Sequence, residues 1–229
     1  MRKTAIALCS SLFVALTLAA FVSPASANGT YQTLPFSQDW TNLGLITVDD
    51  DWSAVPGIIG FRGDNITAST GVDPQTLLAD DAPGVVDINA NKPDPTLFFT
   101  GGCTEFEIAN PTVAIFGSGT ADAPYLLLHL NTTGMQSVTV AYNVRDIEAS
   151  ADDAIQRVAL QYRVGGAGPY TNVPAAYVAD ATTVGTDVQV TAVNVVLPPA
   201  CDNQAQLQLR IMTTNAAGND EAVGIDDIS

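Results

Sequence analysis

Two adjacent carboxylates, Asp226 and Asp227, lie near the end of the chain in Ala222-Val223-Gly224-Ile225-Asp226-Asp227-Ile228-Ser229. Val223 and Ile225 share one strand parity and Ile228 has the other. The parity therefore switches between the two acids, and a bulge or bend is expected there. A bulged strand end with neighbouring carboxylates presents oxygens to Ca²⁺, which takes roughly 6–8 oxygen ligands. Partners would come from the first strand and its loop, Asp39 and Asp49–Asp51. The expected metal ligands are Asp39, Asp51, Asp226 and Asp227, and the expected cofactor is a structural calcium. The alternative is a solvated acidic edge. Asp outnumbers Glu by 20 to 4, which suits oxygen ligands and equally suits turn capping.

A second constellation is basic and amide-rich. Arg145, Arg157, Arg163 and Arg210 all fall on the wet parity of alternating strands, beside Asn143, Gln161, Gln206 and Gln208. If those strands are neighbours, Arg145, Gln161, Arg163, Gln208 and Arg210 form a ligand face for a polar or anionic molecule. The alternative is a solvated sheet face whose arginines pair with Asp146, Glu148 and Asp152. A sugar platform would need exposed aromatics, and Tyr142 and Tyr162 lie on the core parity. His129, the chain's one histidine, shares parity with Tyr125 and Leu127, as expected of a half-buried, hydrogen-bonded side chain. No Ser–His–Asp set is available, and the Gly165-Gly166-Ala167-Gly168 tip has no Lys to serve a phosphate. No catalytic residue is expected, and the chain is not expected to be an enzyme.

The elements that must position these residues read as strands. Short runs rich in Val, Ile, Leu, Tyr, Phe and Thr are punctuated by Gly, Pro, Asn and Asp. The pattern predicts strands at Leu34–Trp40, Leu43–Val48, Gly57–Arg62, Val85–Asn89, Thr104–Ala109, Val113–Gly117, Tyr125–Asn131, Ser137–Ile147, Ile155–Val164, Val188–Leu197, Ala205–Thr213 and Ala222–Ile228. In Ser137–Ile147, Val138, Val140, Tyr142 and Val144 face one way while Thr139, Ala141, Asn143 and Arg145 face the other. Ile155–Val164 and Ala205–Met212 alternate likewise, with one side core and one side wet. The helical signal is Asp73-Pro74, an N-cap followed by Pro at N1, which starts a short helix near 74–79. The expected fold is all-β: a two-sheet antiparallel β-sandwich of jelly-roll type.

The 229-residue chain begins with Met1-Arg2-Lys3, an apolar run from Ala5 to Val22 and the small residues Ser23-Pro24-Ala25-Ser26-Ala27. This is the pattern of a secretory signal peptide, with cleavage expected after Ala27. Residues 28–33 read as a flexible leader, and 34–229 as a single sandwich domain. The whole chain carries eight basic and 24 acidic residues, net −16. Removing Arg2 and Lys3 leaves six against 24, net −18. That excludes a basic nucleic-acid groove, and no later segment is apolar enough to span a membrane once the signal is removed. Cys103 and Cys201 remain after cleavage. An exported chain with an even cysteine count permits a disulfide, and Cys103–Cys201 is the expected bridge. The chain stops inside its predicted last strand, so the domain is expected to be truncated there and to be the N-terminal part of a longer secreted protein.

Four stretches carry a resemblance: Asp49-Asp50-Asp51-Trp52-Ser53-Ala54-Val55-Pro56-Gly57-Ile58-Ile59-Gly60-Phe61-Arg62-Gly63-Asp64, Gly71-Val72-Asp73-Pro74-Gln75-Thr76-Leu77-Leu78-Ala79-Asp80, Ala159-Leu160-Gln161-Tyr162-Arg163-Val164-Gly165 and Gly218-Asn219-Asp220-Glu221-Ala222-Val223-Gly224-Ile225-Asp226-Asp227-Ile228. Together they resemble the N-terminal β-sandwich of large secreted bacterial proteins, many of which carry an endonuclease/exonuclease/phosphatase domain further along. Gly224-Ile225-Asp226-Asp227-Ile228 also resembles the last strand of MAM-type and carbohydrate-binding jelly rolls. There, an acid on the last strand often helps hold a calcium beside the first. The resemblance implies a secreted or cell-surface accessory module, with extracellular polysaccharide or matrix and the parent's C-terminal domains as partners. It implies no nuclease in this chain. Two other readings stay open: the N-terminal fragment of such a nuclease, or a surface structural or adhesion module.

Overall fold

The computed structural model describes residues 26–151 and 154–229. Two six-stranded sheets pack face to face, with a two-stranded pair beside them. The first sheet runs β11 (Thr171–Asn172), β10 (Ala159–Val164), β13 (Leu207–Met212), β8 (Tyr125–Asn131) and β2 (Gln32–Thr33). β4 (Ile58–Phe61) shares the far side of β8 with β2. The second runs β12 (Val190–Val196), β9 (Thr139–Asp146), β14 (Val223–Asp226), β7 (Thr112–Phe116), β6 (Gly102–Phe106) and β5 (Asn89–Lys92). β1 (Ser26–Ala27) pairs with β3 (Asp51–Trp52). Most pairings are antiparallel; β1–β3, β2–β8 and β5–β6 are parallel. This is the expected jelly-roll-type sandwich. The expected signal segment lies largely outside the described residues.

The core forms where the two inner faces meet. Leu126, Leu128 and Leu130 of β8, Leu207, Leu209 and Ile211 of β13 and Leu160 of β10 face Val140, Tyr142 and Val144 of β9, Val113 and Ile115 of β7 and Val223 and Ile225 of β14. Trp40 and Trp52 close it, ring centroids 6.3 Å apart. Each indole donates to a backbone carbonyl: Trp40 to Ile225 and Trp52 to Asp87. β9 alternates as its sequence predicts, its even residues buried and its odd residues Thr139 to Arg145 at least partly open.

Three local expectations are corrected. Leu43–Val48 is not a strand: Asn42 accepts from the Gly44 amide and starts a 3₁₀ turn at Leu43–Leu45. Leu34–Trp40 reduces to one bridge, Gln38 to Ile228. Pro35 offers no donor to a ladder, and Trp40 turns the chain at φ +56°. The helix near 74–79 is a single 3₁₀ turn, Pro74–Thr76, with Asp73 capping the Gln75 amide at 2.9 Å.

The cysteines form no disulfide; both are buried free thiols. β8 keeps them apart. The Cys103 sulfur lies 3.6 Å from the Tyr125 carbonyl at one end of that strand. The Cys201 carbonyl accepts from Thr132 just past the other end. Seven strand steps span about 23 Å, whereas a disulfide needs Cα atoms within about 7 Å.

Candidate functional site

The carboxylates of the expected metal set are each engaged elsewhere. Asp39 accepts from the Thr41 amide and hydroxyl, and Asp51 from the Ser53 amide, both as local turns. Asp226 is fully buried. It pairs with Arg145 at 2.7 Å and with the Asn110 amide at 3.0 Å. Burial raises its carboxyl above the ordinary range, opposed by the Asp227 amide and Arg145. Asp227 sits at φ +51° and accepts from Asn143 at 2.8 Å. The bend between the two acids is thus where the parity switch predicts it. It points them to an arginine and two asparagines, so Arg145 supplies the positive charge a cation would have brought. Among the described residues no three His, Cys, Asp or Glu side chains converge as metal ligands.

The expected ligand face divides between the two sheets. Arg145 belongs to β9. Gln161, Arg163, Gln208 and Arg210 lie on the outer face of the other sheet and are buried. The segment 73–80 and Tyr170 cover them. Arg210 donates to the Leu77 and Ala79 carbonyls and to Gln161. Gln161 donates to the Pro74 and Leu77 carbonyls. Arg163 bonds Asp80 at 2.8 Å and Gln208 at 2.5 Å. The Tyr170 ring lies between the guanidiniums of Arg163 and Arg210, 4.4 and 3.8 Å from its centroid. Parity placed these groups away from the core. It could not show that a strap far upstream, 84 residues before Gln161 and 131 before Arg210 at their contacts, would cover them. They form a clamp rather than an open surface. His129 is buried as expected, its ring edge-on to Tyr31 at 5.2 Å.

An open site lies instead on the outer face of the β9-containing sheet, beside the strap between β5 and β6. Asp94 caps the Thr96 amide at 2.9 Å and Pro95 is buried, fixing a 3₁₀ turn at Pro95–Leu97. Phe98 then packs edge-on against Phe106 and Phe116, centroids 6.1 and 6.5 Å away. Those rings, with Ala114, Ile147 and Ala222, make a small apolar cluster on the outside of this sheet. With Phe98 anchored, Phe99 is left 74% exposed. It stands at a cleft of about 340 Å³.

The cleft has an apolar floor and a polar wall. Phe98 and Phe116 form the floor; Glu148, Asn219, Asp220 and Ser118 line the sides. Glu148 accepts from the Ala222 amide at 3.0 Å and Asp220 from the Ala216 amide at 2.7 Å. Burial pushes the Asp220 carboxyl up to about 6. Gly117 sets the back: a Cβ there would stand 2.3 Å from the Asn215 Cα, so only glycine allows the two segments to approach. A second opening of about 370 Å³ adjoins the start of the strap, lined by Pro95, Thr96, Asn110, Arg145 and Asp187. Of the expected ligand face, Arg145 is the member that borders an opening. An aromatic platform with carboxylate and amide neighbours suits a ligand with an apolar face and hydroxyl edges.

Sequence reasoning missed Phe99. Leu97-Phe98-Phe99 is an apolar trio between Pro95 and Gly101-Gly102, too short and too enclosed by turn residues for a strand. That position, in a loop and off any core period, is the signal that could have found it.

No protein-family profile matches this chain, and no curated protein matches it. Solved structures that share part of its fold include TmCBM61 in complex with beta-1,4-galactotriose, at 11% identity and a TM-score of 0.32, over 52% of this chain and 69% of that one. Another is CBM28, a carbohydrate-binding module specific for non-crystalline cellulose, at 12% identity and a TM-score of 0.37, over 61% and 97%. A third, from carbohydrate-binding modules of the β-sandwich superfamily, is 10% identical with a TM-score of 0.33, over 66% and 70%. At these values the likenesses assign neither ligand nor site.

Proposed function

We propose that this chain is an exported, non-catalytic accessory module that binds a neutral extracellular polysaccharide weakly at the Phe99 cleft, as part of a larger secreted protein. The observation that carries this reading is the exposed Phe99 ring beside a cleft walled by Glu148, Asn219 and Asp220. A pyranose ring offers C–H groups on its face and hydroxyls on its edge, which matches that arrangement. Charge narrows the ligand class. A chain of net −16 with two carboxylates lining the cleft repels uronates, sulfated glycans and nucleic acids. The basic start and small-residue cleavage pattern of residues 1–27 support export.

Affinity electrophoresis of the exported protein through gels containing neutral or acidic polysaccharides tests this. A neutral polymer is expected to retard the protein, and Phe99→Ala is expected to reduce the retardation markedly. Retardation by acidic polymers alone, or equal retardation of the variant, would overturn the reading.

A further inference from the structure

β12 forms one edge of its sheet. Its inward hydrogen bonds are made by odd residues: the Leu197 amide donates to Val138, and the Asp146 amide donates to Gln189. In an antiparallel ladder the alternate residues face the other way. The backbone N–H and C=O groups of Val190, Ala192, Asn194 and Val196 therefore point outward, and among the described residues none has a backbone partner. Val190 and Val196 are 57% and 62% exposed.

Natural sheets blunt such edges with short strands, charge, proline or bulges. An edge of each sheet conforms. β11 has two residues, and β5 carries Lys92 and an irregular register with β6. β12 has seven residues and no proline. No charged residue lies between Asp187 and Asp202. Two copies at net −16 repel each other overall, and an uncharged strand lets them approach without opposing like charges.

We propose that β12 pairs with β12 of a second copy, antiparallel about a two-fold axis at Val193. The strand is self-complementary in that register. Val190 faces Val196 of the partner, Ala192 faces the partner's Asn194, and each facing pair exchanges two hydrogen bonds through the outward groups. The two most exposed valines of the strand thereby cover each other. The sheets join into one, with both Phe99 clefts on the same outer face. If the glycan reading holds, a polymer can engage both clefts at once, but the pairing does not depend on it.

Sedimentation velocity of the exported protein from about 1 μM to about 1 mM, a range suited to weak association, is expected to show a reversible monomer–dimer equilibrium. Val190→Lys is expected to weaken it by about tenfold or more by placing a charge at the seam. Asn194→Pro removes an outward donor and no bond to β9, and is expected to do the same with its melting temperature kept. In the wild type, amide exchange at 190, 192, 194 and 196 is expected to slow as concentration rises. A monomer at every concentration with unchanged exchange would overturn the proposal, as would a dimer that both variants preserve.

Discussion

Phe99 and Phe116 border the same cleft and do different work. Phe116 is buried among Phe98, Phe106 and Ala114, so Phe116→Ala is expected to cost about 3–5 kcal/mol of stability. Phe99→Ala removes a ring that is mostly in water and is expected to leave the melting temperature within about 2 °C, since exposed substitutions change stability by roughly 0.5 kcal/mol or less. Its cost falls on binding instead, roughly five- to tenfold in affinity, the scale of one aromatic contact. Thermal melts paired with calorimetric titration separate the two. The cysteines give a second test at this scale. Burial raises both thiols, Cys201 to about 12. The folded protein is therefore expected to react slowly with a thiol reagent, and denatured protein to show both groups without any reductant.

Among the elements, the strap at 73–80 is held by Arg210, Gln161 and Arg163. Arg210 is wholly buried and donates to the Leu77 and Ala79 carbonyls; burial lowers its guanidinium to about 10. Arg210→Ala leaves the Ala79 carbonyl and the Gln161 side-chain oxygen without their donor. It is expected to cost about 3 kcal/mol and to open residues 73–80 to limited proteolysis before the rest of the domain. The strap also marks where the sequence stops being informative. β9, β10 and β13 follow from alternation because each lays one apolar face on the core, and the bend at Asp226-Asp227 follows from the parity switch. Alternation cannot report what lies over the second face. Gln161, Arg163, Gln208 and Arg210 read as wet because their parity is polar, yet Gln161, Arg163 and Arg210 find partners in a loop far earlier in the chain. The Phe99 strap was hidden for another reason: its order comes from Asp94, Pro95 and the contact of Phe98 with Phe106 and Phe116 on the next two strands, which no periodicity marks. The thiol pairing failed on geometry, since spacing cannot place two residues at opposite ends of one strand.

The whole molecule is an acidic sandwich whose buried acids set its response to pH. Burial pushes Asp87, Asp146 and Asp220 each up to about 6, from an ordinary value near 3.8 in the unfolded chain. Between those values the folded state holds more protons than the unfolded one, so stability falls as pH rises from about 4 to about 6 and stays lower above it. Self-repulsion at net −16 acts in the same direction. The melting temperature is expected to be higher at pH 4.5 than at pH 7.5, and a maximum near neutrality would contradict this account of the three acids. The central claim, that the outer face beside Phe99 is the binding surface, has its most direct test in backbone amide chemical shifts during titration with a neutral oligosaccharide. The account predicts saturable shifts confined to 98–99, 117–118, 148 and 218–220, needing roughly five- to tenfold more ligand in Phe99→Ala. Shifts centred on another face, or none with a polysaccharide that retards the protein, would contradict it.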